Sequence, residues 1–308
     1  MGEPLRVMHV ITGLNLGGAE TWLTRLLLRL PVERFACRVV SLMDGGQLSG
    51  VIRNMGVPVE SLGMGRGMPD PRGLMRLMRL MRAHRPQVVQ TWLYHADLLG
   101  LLAARWSGCG AAVSWGLRCA YMDLARYGLG TRLTLRACVA LSGRPEAVTA
   151  NSHAGAAHHL ALGYRPRRLE VLENGVDGAR FRPDAEARAR LRREWGIVGD
   201  APLIGLVARV DPMKGHGVFC RAAEALLRAW PDAKFLFCGE GTASGGTGFG
   251  GAGPGESELD VLIARHGLAG AVVRLGRRED VAQVYAALDV LALPSLGEGF
   301  PNAVLEAL

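Results

Sequence analysis

The sequence predicts an α/β protein of two doubly wound parallel-sheet domains, residues 1–175 and 176–308, the second of them incomplete. Three observations predict it. Short apolar, β-branched runs alternate with segments of helical length, the pattern of βαβ units. The alternation restarts after "VLENGVDGARFRPD" (171–184), a stretch rich in Gly, Asn, Asp and Pro that reads as a hinge. A chain of 308 residues is also long enough to pack two domains.

In the first half the strands are "RVMHVIT" (6–12), "CRVVSLM" (37–43), "VPVESL" (57–62), "QVVQTW" (87–92), "AAVSW" (111–115), "EAVTA" (146–150) and "RLEVLEN" (168–174). Helical lengths fill 19–30, 71–84 and 96–106. In the second half the strands are "PLIGLVARV" (202–210), "AKFLFCGE" (233–240), "AVVRLG" (271–276) and "DVLALPS" (289–295), with helical stretches at 215–230, 256–266 and 280–288. Ligands of such sheets bind beyond the carboxyl ends of the strands. Two sheets facing each other would place the site in the cleft between them. The Gly- and Ser-rich segment 241–257 has little to bury and reads as a surface loop.

Composition narrows the class. Hydrophobic residues make up 49% and charged ones 21%, which suits a soluble globular chain. No apolar run approaches the roughly 20 residues of a membrane span. The opening "MGEPLRVMHVITG" reads as a strand, not as a secretory signal. The six Cys include no Cys-x-x-Cys pair, which suggests neither a zinc site nor a disulfide framework and fits a reducing, cytoplasmic setting. Residues 1–175 hold 21 Arg and no Lys against 11 acids, whereas residues 176–308 hold 15 basic and 17 acidic residues. A basic half is expected to meet an anionic surface or substrate, although coding bias toward Arg explains the count equally well. Within it, "DPRGLMRLMRLMRAHRP" (70–86) sets Arg72, Arg76, Arg79 and Arg82 at helical spacing among Leu and Met. Its apolar face should pack on the sheet, and its Arg face suits anionic lipid head groups. Nucleic acid is not an expected partner, since no basic patch is interleaved with aromatics.

Several stretches carry candidate chemistry. "VITGLNLGGAE" places Gly17 and Gly18 between a strand and a helix, where the backbone can approach an anion and the helix N-terminus offers free N–H groups. A tight βα turn explains these glycines equally well. "LVARVDPMKGH" sets Arg209 and Lys214 across a turn at the carboxyl end of a strand, a pair of cations suited to a diphosphate. Lys214 is one of only two Lys in the chain. The closing "EGFPNAVLEAL" sets Glu298 in a loop forced by Pro294, Gly297, Gly299 and Pro301, and Glu306 about one turn into a helix opened by Asn302 or a neighbour. A carboxylate in the loop can bind sugar hydroxyls, and one on the helix can bind a ribose diol. A turn residue and a solvated residue near a helix start are the plainer readings of the two.

Together these residues resemble glycosyltransferase family 4 enzymes of the GT-B fold, in which two Rossmann-like domains face each other across a cleft. The resemblance runs over residues 6–308 and rests on "GGAE", "ANSHA" (150–154), "VLENGVD" (171–177), "VARVDPMKGH" (207–216), "FCGEG" (237–241) and "EGFPNAVLE", in that order and spacing. It implies that Gly17 and Gly18 approach the donor phosphates and that Arg209 and Lys214 hold the diphosphate leaving group. It further implies that Glu298, with Gly299, Phe300 and Pro301, holds the donor sugar, and that Glu306 binds the ribose. Asn174, in the "VLENGVD" turn, joins the substrate-binding set. The implied reaction is transfer with retention from a nucleotide-sugar, UDP before GDP, without a metal or other cofactor. No Asp-x-Asp metal motif occurs. The implied acceptor is a lipid-linked sugar or polysaccharide of a cell-surface glycan such as lipopolysaccharide, at the inner face of the plasma membrane.

The sequence departs from the family in two places. Many members carry a His in the strand-end loop that here reads "VSWGLRCAYMD" (113–123). Gly116 stands about there, with Arg118 two residues on as a candidate for the acceptor or phosphate side. His95, in "TWLYHADLLG", is a second candidate for the sugar or acceptor pocket, though packing or capping also explains it. Family members also continue for several further elements, so the chain is expected to be truncated. Two rivals follow: a nucleotide-sugar epimerase on the same architecture, and a non-catalytic nucleotide-sugar-binding fragment or subunit.

Overall fold

The computed structural model describes residues 2–65, 70–120, 128–243 and 257–308. The chain divides into two compact units, Met1–Asn174 and Gly175–Leu308.

The first unit alternates β1 (Leu5–Ile11), α1 (Gly18–Arg29), β2 (Phe35–Ser41), α2 (Gln47–Asn54), β3 (Val59–Ser61), α3 (Pro71–His84), β4 (Val88–Trp92), α4 (Tyr94–Ser107), β5 (Ala112–Leu117), α5 (Leu129–Leu141), β6 (Ala147–Ala150), α6 (His153–Ala161) and β7 (Leu169–Val171). The strands form one sheet in the order β3-β2-β1-β4-β5-β6-β7, every neighbouring pair parallel. Both faces are covered, so the strands read as near-continuous apolar runs. Successive residues point to opposite faces. Val10 packs in a core with Leu77, Met81, Leu101, Trp115 and Leu135, and Ile11 packs in another with Leu23, Leu27, Ile52 and Trp92. The winding reverses between β1 and β4, which opens a crevice beyond their carboxyl ends.

Helix α3 starts where its sequence says it should. Asp70 caps it by accepting from the Arg72 N–H at 2.8 Å, and Pro71 fills the first turn. Gly73, Leu77 and Met81 form its buried stripe, while Met75 of the expected apolar set stays 52% exposed. Arg76 donates to the Leu62 carbonyl at 2.8 Å, and Arg82 donates to those of Ser107 and Trp106.

The second unit runs α7 (Ala185–Glu194), β8 (Leu203–Val207), a 3-10 turn (Pro212–Lys214), α8 (His216–Ala229), β9 (Lys234–Cys238), α9 (Glu258–Arg265), β10 (Val272–Gly276), α10 (Val281–Ala287), β11 (Val290–Leu291) and α11 (Asn302–Ala307). Its parallel sheet has the order β10-β9-β8-β11, with Phe235, Phe237, Phe219, Cys220 and Leu206 at the core of one face. Here the winding reverses between β8 and β11. The strand expected over 289–295 pairs only at Val290 and Leu291, because Pro294 has no N–H to continue the ladder. Asp289 fixes its start. The Asp289 carboxylate accepts from the Leu203 N–H at 2.7 Å, from Arg188 at 2.5 Å and from Arg192 at 3.0 Å. Most of the Gly- and Ser-rich segment, 244–256, lies outside the described residues.

Candidate donor and acceptor sites

In the second unit the reversal of winding brings together two loops 84 residues apart in sequence. Beyond β8 stand Arg209, Asp211 and Lys214, and beyond β11 stands Glu298. Lys214 Nζ lies 2.6 Å from Glu298 Oε1, with both side chains about a quarter exposed. Arg209 donates from Nε (3.2 Å) and Nη2 (2.9 Å) to one oxygen of Asp211. The other Asp211 oxygen accepts from the Met213 N–H at 2.9 Å and so caps the turn that ends in Lys214. Burial alone would raise the Asp211 carboxyl. The Met213 N–H and the Arg209 and Lys214 charges outweigh it, and the group is held below its ordinary range. Gly215 leaves the turn with φ +72, and a Cβ there would run into the Pro294 carbonyl. Only glycine meets both demands. Leu296 N–H donates to the Met213 carbonyl at 2.9 Å, which ties the loop before Glu298 to the same turn.

Two further candidate side chains lie on the helices that follow these loops. His216 is buried with its ring stacked 6.2 Å from Phe237, and burial lowers its pKa to about 4, so it is neutral at pH 7. It lines a cavity of about 230 Å³ with Asp211, Gly215, Arg221, Glu258 and Leu296. Glu306 lies on α11, which opens at Asn302 as the sequence suggests, and accepts from the Tyr285 hydroxyl at 3.2 Å. Gly299, Phe300 and Pro301 form the half-buried turn between Glu298 and α11.

In the first unit the crevice beyond β1 and β4 carries a second cluster. Gly17 caps α1 in an extended conformation with Gly18 as the first helical residue, and the Glu20 carboxylate folds back over Gly17 to the helix N-terminus. The Arg118 guanidinium lies 4.4 Å from the ring centre of Trp92 and donates from Nη1 to Asn174 Oδ1 at 3.2 Å. Trp92 in turn donates from its indole N–H to His9 Nδ1 at 3.3 Å. Arg118 Nε, His95 Nε2 and Asn151 Oδ1 are buried without a hydrogen-bond partner. His95 sits in the first turn of α4, its pKa lowered by burial. Leu93, between β4 and α4, is held at φ +75, a strained setting for a branched side chain. Strand β5 runs on to Leu117, which corrects the placing of Gly116 in a strand-end loop. Gly116 lies inside the strand, and a Cβ there would stand 2.6 Å from the Thr91 carbonyl oxygen, so no His fits the position.

Asp97, on α4, is fully buried. One of its oxygens accepts from Thr91 at 2.5 Å and the other has no partner. Desolvation raises its pKa to about 8, against the lowering effects of Thr91, Gly116 and Arg118. Burial also lowers His9 to about 4. These two groups have opposite signs in stability. The Asp97 contribution is complete below about pH 4 and is lost as pH rises through 8. The His9 contribution is complete above 6.5 and is lost as pH falls toward 4. Between pH 6.5 and 8 only Asp97 of the pair changes protonation. Stability is expected to fall across that window, by at most about 1.4 kcal/mol per pH unit. Asp97→Asn should flatten the slope in urea titrations; an unchanged slope would place an ionised Asp97 in the fold.

The sequence did not single out Trp92, Asp97, His9, Asp211, Glu20 or Tyr285. Asp211 was within reach, because an Asp before Pro at a strand end signals a capped turn. Among the described residues no three His, Cys, Asp or Glu side chains converge as a metal site, and no helix is long and apolar enough to cross a membrane.

Two parallel-sheet units, with polar clusters beyond their strand ends at the points where the winding reverses, make up a two-domain α/β fold shared with solved glycosyltransferases. The structure of HepE from Anabaena, solved with UDP and glucose, superposes over 98% of this chain and 78% of its own with a TM-score of 0.79 at 20% identity. WaaG, a glycosyltransferase involved in lipopolysaccharide biosynthesis, superposes over 98% of this chain with a TM-score of 0.69 at 15% identity. The model of the family "Glycosyltransferase Family 4" matches residues 16–180 and that of "Glycosyl transferases group 1" matches residues 201–308; the chain belongs to glycosyltransferase family 4.

Similar proteins include the D-inositol 3-phosphate glycosyltransferase of Segniliparus rotundus, 29% identical over 49% of this chain, which spans about a third (32%) of that relative's length. The putative glycosyltransferase EpsF of Bacillus subtilis is 25% identical over 98% of this chain and 76% of its own. The UDP-Gal:alpha-D-GlcNAc-diphosphoundecaprenol alpha-1,3-galactosyltransferase of Escherichia coli is 23% identical over the same shares.

Proposed function

We propose that the protein is a retaining glycosyltransferase that moves a sugar from a nucleotide-sugar, UDP-linked in preference to GDP-linked, to a lipid-linked or polysaccharide acceptor in cell-surface glycan synthesis. The observation that carries this reading is the meeting of Arg209, Lys214 and Glu298 at the reversal point of the second sheet, with Glu306 on the helix that follows. Arg209 and Lys214 supply two positive charges to the leaving diphosphate, which favours the transition state in which that charge develops. On donor binding Lys214 exchanges Glu298 for phosphate, and Glu298 becomes free to accept from sugar hydroxyls. Glu306 accepts from the ribose. In the first unit Arg118, His95 and Asn174 serve the acceptor or sugar side. Arg209 and Lys214 do the work that other transferases give to a metal, so a chelator is expected to leave transfer unchanged. No side chain is assigned as a covalent nucleophile, and attack from the face of departure accounts for retention; a covalent glycosyl-enzyme trapped with donor alone would overturn that route.

The acceptor class draws on the E. coli relative, whose name specifies a diphosphoundecaprenol-linked sugar. A lipid-linked acceptor places the enzyme at the inner face of the plasma membrane, where Arg72 and Arg79 of α3 can meet anionic head groups. The test of the donor assignment is a thermal-shift panel of UDP-, GDP- and ADP-sugars. The reading expects the largest rise with a UDP-sugar, and no rise with any of the three contradicts it.

A further inference from the structure

The two cations of the donor site are not independent of each other, and the link between them is Asp211. Arg209 leaves the end of β8 at a backbone fixed by the hydrogen bond from Val210 N–H to the Glu240 carbonyl, at 2.8 Å. Its side chain is 47% exposed and would be free to adopt many rotamers. Asp211 removes that freedom. One of its oxygens takes two of the five guanidinium N–H donors, at 3.2 and 2.9 Å, and leaves the other three for a ligand. Its other oxygen holds the Met213 N–H at 2.9 Å, and its carbonyl accepts from the Lys214 N–H at 2.9 Å. The turn that presents Lys214 is therefore closed by the same residue that aims Arg209.

We infer that Asp211 is the positioning residue of the donor site, fixing Arg209 and the Lys214 turn in the spacing that receives a nucleoside diphosphate. This rests on the donor-site reading above. An exposed ion pair of this kind adds little to folding stability. Its effect lies in preorganisation: a guanidinium already held in place loses less freedom when phosphate binds. The competing role for an acid beside a phosphate-binding Arg is simple neutralisation, in which Asp211 would weaken the anion site. The two roles predict opposite signs.

The experiment is calorimetric titration with UDP, and with GDP should UDP not bind, of the parent protein, Asp211→Asn, Arg209→Ala and the double variant, with melting temperatures alongside. Asn keeps the size of the side chain and the cap on Met213, and removes the charge that holds Arg209. Asp211→Asn is expected to weaken UDP binding by roughly fivefold to tenfold at an unchanged melting temperature, and by less than about twofold once Arg209 is already Ala. Binding that is unchanged or tighter in Asp211→Asn overturns the inference, and so does an effect that persists in full without Arg209. If the parent binds neither UDP nor GDP, the donor-site reading itself falls and this inference falls with it. If the parent binds and only the Asn variant fails to behave as described, the donor-site reading stands.

Discussion

Lys214→Ala is expected to lower kcat by about a hundredfold to a thousandfold, the scale of removing one preorganised charge from a developing anion. Lys214 is suited to that role by its place in the fold. Its turn is closed by the Asp211 cap and by the close packing of Gly215 on the Pro294 carbonyl, not by its own side chain. The ammonium is therefore free to leave Glu298 for phosphate without loosening the backbone that carries it. The ion pair with Glu298 is about a quarter exposed, and such pairs contribute on the order of 1 kcal/mol or less to stability. The variant should fold normally and melt near the parent temperature while losing turnover. Steady-state kinetics with donor and acceptor decide the matter, and near-normal kcat would reject Lys214 as the group that meets the leaving phosphate.

Asp289→Ala is expected to destabilise the second unit by about 2 kcal/mol, the cost of leaving the buried Arg192 guanidinium without its partly exposed acid partner. Arg192 is 7% exposed, and it bonds Asp289, the Ala287 carbonyl and the Ala201 carbonyl at once. Without the carboxylate its charge is buried with carbonyl partners only, and the Leu203 N–H loses its acceptor. Burial alone would raise the Asp289 carboxyl, and Leu203, Arg188 and Arg192 together hold it below the ordinary range, so the group is ionised at neutral pH. The fall in melting temperature should be on the order of 10 °C. The same change frees the start of β11, whose far end leads to Glu298, so donor affinity should fall with stability. A melting temperature within a degree or two of the parent would show that the network is dispensable.

The sequence carried the elements further than it carried their arrangement. Strand periodicity and turn residues placed α3 and α8 to within a residue or so, because Asp70-Pro71 and Gly215 mark their starts in local chemistry. Which strands are neighbours is not local. The reversal between β8 and β11, which sets Lys214 against Glu298, depends on how the helices cover the sheet, and the two residues were joined beforehand only by resemblance. The short β11 was overestimated because an apolar run continues past the proline that ends its ladder. Asp97 was invisible for a different reason. A carboxylate in the first turn of a helix reads as solvated, and only the fold reveals that it is sealed beneath Thr91. Arg118 was found by its chemistry, but the flat surface that holds it, Trp92, lies on another strand, and nothing in its own segment points to that partner.

The central claim is that Arg209 and Lys214 hold the diphosphate of a nucleotide-sugar. Phosphorus NMR of UDP titrated with the protein tests it at the atoms concerned. With the parent protein both phosphorus resonances are expected to move on binding, the β-phosphorus the more. With the Arg209→Ala, Lys214→Ala double variant, at concentrations that restore occupancy through the ribose and base, the β-phosphorus shift should be largely lost. A β-phosphorus resonance that moves as far in the double variant as in the parent would contradict the claim.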